Sequence, residues 1–175
     1  DSIALGPWER VGVVPAPHWN ASDRQPVWPP GTPDPLTGSA SGPIDGSGTP
    51  TSAAASWSFG YAGTGIHPGP GDPRLLNSGL GTDQPYGPDV PAEVTLSGIP
   101  FASYDLIVYL GGPWPYHRAS VRLDSDPASL RYLLSFAGPP FLGWREATAT
   151  TEGDIVEANY VRFRGLSGAS QTVIL

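Results

Sequence analysis

The residues best equipped for chemistry in this chain are aromatic rather than ionic. Trp114-Pro115-Tyr116-His117-Arg118 places two aromatic faces, an imidazole and a guanidinium in consecutive positions, on a segment stiffened by proline. Faces of Trp and Tyr stack on the C–H surfaces of sugar rings, and neighbouring Arg donates to sugar hydroxyls. Trp114, Tyr116, His117 and Arg118 are therefore the candidate sugar platform. Trp8, Trp19, Trp28 and Trp144 also lie in or beside loops. The competing use of such rings is to clamp loops onto the body or to fill a subunit contact, where Trp, Tyr and Arg are enriched. Packing or contact is the preferred reading, with Trp19 and Trp28 as contact candidates.

Other chemistries have less support. His18, His67 and His117 are far apart, and none has a partner at metal-ligand spacing. The absence of Cys removes disulfides, thiolate nucleophiles and Cys-based metal sites. No Gly-x-Ser-x-Gly nucleophile elbow occurs. A carboxylate pair for glycoside cleavage could come from any two of Asp72, Asp83, Asp89, Glu93, Glu146, Glu152 and Asp154, and the sequence selects none. Solvated loop acids are the simpler reading. Asp45-Gly46-Ser47-Gly48 and Asp124-Ser125-Asp126 could ligate a hard cation, but neither has EF-hand spacing, so structural calcium is the minor alternative to no cofactor. Gly63-Thr64-Gly65 and Gly69-Pro70-Gly71 lack the Lys and strand-to-helix setting of a phosphate loop and read as turns. Asn20-Ala21-Ser22 fits the N-glycosylation pattern. The chain is not expected to be an enzyme.

The elements that would position these residues follow from composition and periodicity. At 175 residues the chain can bury a core as a single domain. Gly (23) and Pro (22) approach low-complexity levels, yet 39% hydrophobic content with 6 Trp and 7 Tyr is too rich for disorder. All basic residues are Arg, and the net charge of −7 opposes nucleic acid and anionic membranes. No apolar run is long enough to span a bilayer. The start at Asp1 is expected to follow cleavage of a secretory signal, which places the protein outside the cell or on its surface.

Residues 93–96 alternate polar and apolar, 97–100 carry turn chemistry, and 104–110 are almost continuously β-prone. This pair of strands is expected at the centre of an all-β core. Further strands are expected at 2–5, 11–14, 53–61 (Ala55, Trp57, Phe59 and Tyr61 on one face), 118–123 (Val121 and Leu123 inward), 160–164 (Val161 and Phe163 inward) and 171–175. Residues 126–128 could open a helix, but the alternation of Leu130, Tyr132, Leu134 and Phe136 favours a strand. Residues 146–150 resemble an edge. From 15 to 50 the chain is dense in Pro, Gly, Ser and Asp and reads as an irregular arm pinned by Trp19, Val27, Trp28, Leu36 and Ile44. A two-sheet β-sandwich of jelly-roll or related type accommodates these strands.

Several motifs fall in a recognisable order: Val14-Pro15, Trp19-Asn20, Ile44-Asp45-Gly46-Ser47-Gly48, Ser56-Trp57-Ser58, Arg74-Leu75-Leu76-Asn77-Ser78-Gly79, Val94-Thr95-Leu96-Ser97-Gly98-Ile99-Pro100, Tyr104-Asp105-Leu106-Ile107-Val108-Tyr109 and Ala158-Asn159-Tyr160-Val161-Arg162-Phe163. Together they resemble secreted bacterial β-sandwich modules of large planctomycete-type surface proteins, similar to galactose-binding-like carbohydrate-binding domains. The resemblance implies an extracellular sandwich and supplies no catalytic residues. Such modules continue into one more short apolar strand, whereas this sequence stops at Val173-Ile174-Leu175. Either the sandwich closes differently here or a neighbouring subunit completes it, and the second alternative makes Val173, Ile174 and Leu175 contact candidates.

The leading expectation is a non-catalytic, secreted structural or adhesive protein that self-associates into a homo-oligomer or filament through its terminal strand or its arm. The alternative is a carbohydrate-binding module that takes a polysaccharide through its loop aromatics.

Overall fold

The computed structural model describes residues 5–20, 36–59, 61–64, 71–76, 78–81, 91–111, 117–135 and 141–175. Its strands are β1 (Leu36–Ser41), β2 (Ala54–Phe59), β3 (Tyr61–Thr64), β4 (Ser78–Gly81), β5 (Glu93–Ser97), β6 (Tyr104–Tyr109), β7 (His117–Leu123), β8 (Asp126–Ser135), β9 (Glu157–Ala158), β10 (Tyr160–Leu166) and β11 (Ser170–Ile174). Helical structure among the described residues is one α-turn, α1 (Asp72–Leu75), and one 3-10 turn at Glu152–Asp154. The protein is all-β. No helix among the described residues is long and apolar enough to cross a membrane.

Seven strands form one sheet in the order β1-β2-β5-β11-β7-β8-β9, while β10-β6 and β3-β4 form two-stranded sheets. The large sheet and the β10-β6 pair meet at a shared core. Val121, Leu123, Leu133 and Val173 come from the first, and Val161 and Phe163 with the half-buried Leu106 and Val108 from the second. The inward alternation read at 118–123 and 160–164 is therefore correct: Val121, Leu123, Val161 and Phe163 are buried.

Partnership departs from the sequence reading. β5 and β6 are not neighbours, because β5 pairs with β2 and β11 whereas β6 pairs with β10. The segment between them carries the chain from one sheet to the other. Gly98 takes φ +62, and a Cβ there would collide with the Ser52 carbonyl. Ile99 N–H donates to Ala169 O at 3.1 Å, anchoring the crossing against the start of β11.

Of the two alternatives at the C-terminal strand, the sheet closes within the chain and shows no unfinished edge at β11. β11 is hydrogen-bonded to β5 on one side and β7 on the other, and Leu175 exchanges backbone bonds with Ala92. Val173 is only 4% exposed. The terminal run is apolar because it fills the middle of the sheet, so its sequence does not mark a free edge.

Smaller differences have local causes. Part of the 15–50 arm is a strand, β1, aligned against β2 through six residue pairs. Residues 11–14 make a tight turn closed by an isolated Val11–Ala16 bridge, with Gly12 at φ +99. Tyr61 leaves the strand of Trp57 and Phe59 and joins β3. Residues 126–128 extend β8, in line with the preferred strand reading, whereas residues 146–150 supply two isolated bridges, at Glu146 and Ala149, rather than an edge strand. In β8 the buried face is that of Ser129, Leu133 and Ser135, opposite to Leu130, Tyr132 and Leu134, because Leu133 pairs with Ala119 on the inward side of β7. Residues 2–4 and Phe136 lie outside the described residues.

Leu133 is fully buried whereas Leu142 is 54% exposed. Leu133→Ala should lower the unfolding free energy by about 2–5 kcal/mol, and Leu142→Ala should change it by about 0.5 kcal/mol or less. Urea unfolding of the two variants checks this.

Candidate functional site

The register of the large sheet sorts its side chains onto two faces. On the core side lie Trp57, Val94, Leu96 and Val173. On the other side Ser39 pairs with Ser56, Ser56 with Thr95, and Thr95 with Thr172, a row of hydroxyls across four strands. The Thr95 and Thr172 hydroxyls are 2.9 Å apart. The flanking rows are Ser41-Ala54-Ser97-Ser170 and Thr37-Ser58-Glu93-Ile174. All but Ala54, Glu93 and Ile174 in these rows carry a hydroxyl.

The same face continues across β7 and β8. Arg122 pairs with Ile174, Ser120 with Tyr132, and Arg118 with Leu134. Here the 3-10 turn overhangs the sheet, and Arg118, Ser120, Tyr132, Glu152 and Ile155 line a shallow depression of about 170 Å³. Arg118 and Glu152 are exposed, and no ion pair among the described residues involves either. The depression thus offers a guanidinium donor, a carboxylate acceptor, a hydroxyl able to do both and a half-buried phenol ring. That set matches a polyhydroxylated ring with an apolar flank.

Of the four residues expected to form a sugar platform, the structure brings Arg118 to this depression. His117 begins β7, opposite Ser135; Trp114 and Tyr116 lie outside the described residues, as do Trp28, His67, Asp83 and Asp89. Trp19 and Trp144 are clamps: both pack on Tyr109, at 6.0 and 4.8 Å between ring centroids. Phe141 and Tyr160 extend this cluster around Trp144. Tyr109 Oη accepts the Val13 N–H at 3.0 Å, and burial raises the Tyr109 pKa. Trp8 is 78% exposed, with His18 edge-on to it. Asn20 bonds both ways to the backbone of Ile44, through Nδ2 to the carbonyl at 2.9 Å and from the N–H to Oδ1 at 3.0 Å, so its side chain ties residues 18–20 to the 44–50 turn.

Several acids weighed for catalysis or calcium already have protein partners. Asp72 Oδ1 accepts the Gly12 N–H, and Asp154 accepts the Thr151 hydroxyl. Asp45 Oδ1 accepts from Ser47 N–H, Ser47 Oγ and Thr49 N–H, and these bonds, the Ser47 hydroxyl's first, lower its pKa. Asp124 pairs with Arg122 at 3.5 Å, and Asp126 accepts the Ala128 N–H. No group of three or more His, Asp or Glu among the described residues is arranged to hold a metal. The features missed in the sequence are Tyr132, Ser120 and the hydroxyl rows. The signal for the rows was present as Ser or Thr at alternate positions of β1, β2, β5 and β11, interrupted at Ala54, Glu93 and Ile174.

The β10-β6 sheet carries the main ion pairs. Arg164 grips Glu146 with two bonds of 2.7 and 2.8 Å, and the Tyr160 hydroxyl donates to the same carboxylate. Arg162 donates twice to Asp105, which also accepts the Gly165 N–H at 2.9 Å. A second depression, of about 260 Å³, lies beside Arg131, Arg162 and Arg164, but the latter two are neutralised by these acids.

No known protein family matches the chain, and neither does any curated protein or solved structure.

Bonding to Arg164 holds Glu146 below its ordinary value of 4.5, and bonding to Gly165 and Arg162 holds Asp105 below 3.8. A carboxyl more acidic in the folded chain than in the unfolded one adds stability above its unfolded pKa, and that contribution fades as pH falls through the folded value. Glu146→Gln should therefore be less stable than wild type at neutral pH, and the gap should close as pH falls below 4.5 and through the lower value of the folded chain. Thermal melts across that range check the sign.

Proposed function

We propose that the protein is a non-catalytic, secreted β-sandwich module that binds a neutral polysaccharide across the open face of its large sheet. The observation that carries this reading is the Arg118–Ser120–Tyr132–Glu152 depression, on the same face of the large sheet as the hydroxyl rows. Tyr132 would flank one sugar ring, Arg118 and Glu152 would exchange hydrogen bonds with its hydroxyls, and the rows would support the neighbouring rings. The resemblance to galactose-binding-like modules of bacterial surface proteins supports the same class of ligand, an extracellular location and a jelly-roll type of sandwich. The structural or adhesive reading takes second place, because one of its supports was an unpartnered strand at Val173-Ile174-Leu175, and that strand is paired within the chain.

The test is a glycan array combined with pull-down on insoluble polysaccharides. Saturable binding is expected, weakened about tenfold or more in Arg118→Ala and Tyr132→Ala, without release of reducing ends. Absence of saturable binding by the wild-type protein, or full binding by both variants, rejects the proposal.

A further inference from the structure

The seven-stranded sheet ends in two unlike edges. At one, β9 is two residues long and carries Glu157, held by Arg145 at 2.9 Å. Short length and fixed charge are the usual guards of a strand edge. At the other, β1 is six residues of Leu-Thr-Gly-Ser-Ala-Ser, and neither it nor β2 contains a charged residue or a proline. Over residues 37–58 the single charge is Asp45.

Backbone direction at this edge follows from one bond. Gly42 N–H donates to Ala53 O at 3.0 Å, continuing the β1–β2 register by one pair. Antiparallel alternation then turns the amides of Leu36, Gly38 and Ala40 toward β2 and those of Thr37, Ser39 and Ser41 away from it. Thr37, Ser39 and Ser41 are exposed, and nothing among the described residues bonds to their outward groups.

We propose that the β1 edge is a homodimer interface, in which β1 of a second copy pairs antiparallel about a twofold axis at Ser39. Ser39 then faces Ser39 and Thr37 faces Ser41, a register in which every outward N–H and C=O of both strands finds a partner. A second copy is the occupant because the edge is complementary to itself in this register, and the lack of charge on β1 and β2 lets two acidic chains meet there. Each chain carries −7, so two copies repel over most of their surface, and β1 with β2 forms a stretch where they approach without opposed acids. The pairing is isologous and closes on itself, giving a dimer rather than an open filament. It also carries the Thr172-Thr95-Ser56-Ser39 row across the axis into the second copy. This interface is independent of the polysaccharide reading, and an Arg118→Ala variant that stays dimeric whether or not it binds glycans separates the two.

Sedimentation equilibrium over a wide concentration range tests the proposal on wild type, Ser39→Pro and Ser39→Lys. Proline removes an N–H that faces away from β2, so the fold should persist while dimerisation weakens at least about tenfold. Lysine places like charges opposite each other at the axis, with the same expected loss, and decides the matter if the proline variant does not fold. A wild-type chain that stays monomeric at its highest soluble concentration overturns the proposal, as does a dimer that survives both folded variants. Slow amide exchange at Thr37, Ser39 and Ser41 that does not depend on protein concentration also overturns it, since another segment of the same chain would then occupy the edge.

Discussion

The large sheet depends on the pairing of β11 along both of its sides. The last strand of the chain is the central strand in space, and without it the sheet falls into two pieces, β1-β2-β5 and β7-β8-β9. On the β5 side five residue pairs run from Ser170 to Ile174. On the β7 side Val173 and Ile174 pair with Leu123 and Arg122, and Asp124 N–H reaches Thr172 O at 2.9 Å. Val173 sits where both ladders meet the core shared with β10-β6. These contacts join residues far apart in sequence, so their loop-closure entropy must be met before the sheet is complete.

That central strand also fixes which side chains face out. Strand alternation has a period of two, so a slip of one residue in β11 would turn Thr172 inward and Val173 outward. The same slip would break the alignment of Thr172 with Thr95 and, through it, with Ser56 and Ser39. The hydroxyl rows and the hydrophobic core are thus two results of one register. Gly38 contributes locally: a Cβ at that position would meet the Trp57 indole, so the ring can lie across β1 only because no side chain stands there.

What was legible in the sequence follows from this geometry. Strands with one buried apolar side, such as β7 and β10, announce themselves by alternation, and Val121, Leu123, Val161 and Phe163 were read correctly. Strand β1 was hidden because its side chains are small and mostly polar, which resembles a loop in composition. Its position is set by pairing with β2, a non-local fact. The buried face of β8 was not legible for a related reason. Its outer side carries Leu130, Tyr132 and Leu134, which are half-buried, while the core side mixes Leu133 with Ser129, Arg131 and Ser135. Alternation shows that two faces differ; the neighbouring strand decides which one is inside. Strand order was equally hidden, since β5 and β6 are adjacent in sequence yet lie in different sheets. Of the site, Arg118 and Glu152 were among the residues considered, but nothing local in the sequence joins them to Tyr132.

The distribution of charge separates the roles of the two sheets. On β10-β6, Arg162 and Arg164 are matched by Asp105 and Glu146, so those charges are satisfied within the fold. The β1-β2-β5-β11 half of the large sheet instead presents neutral hydroxyls, with Glu93 the one charged residue in its three rows. A surface of short, uncharged donors and acceptors loses little side-chain entropy on contact and carries no charge to desolvate. Such a face suits a flat, neutral partner, and it suits an ionic ligand poorly. Arg118 and Glu152 stand on the same face beyond β11, beside the depression on β7 and β8, with no ion-pair partner among the described residues. On the proposed reading, the rows contribute area and the depression contributes selectivity, and both rest on the register that β11 sets.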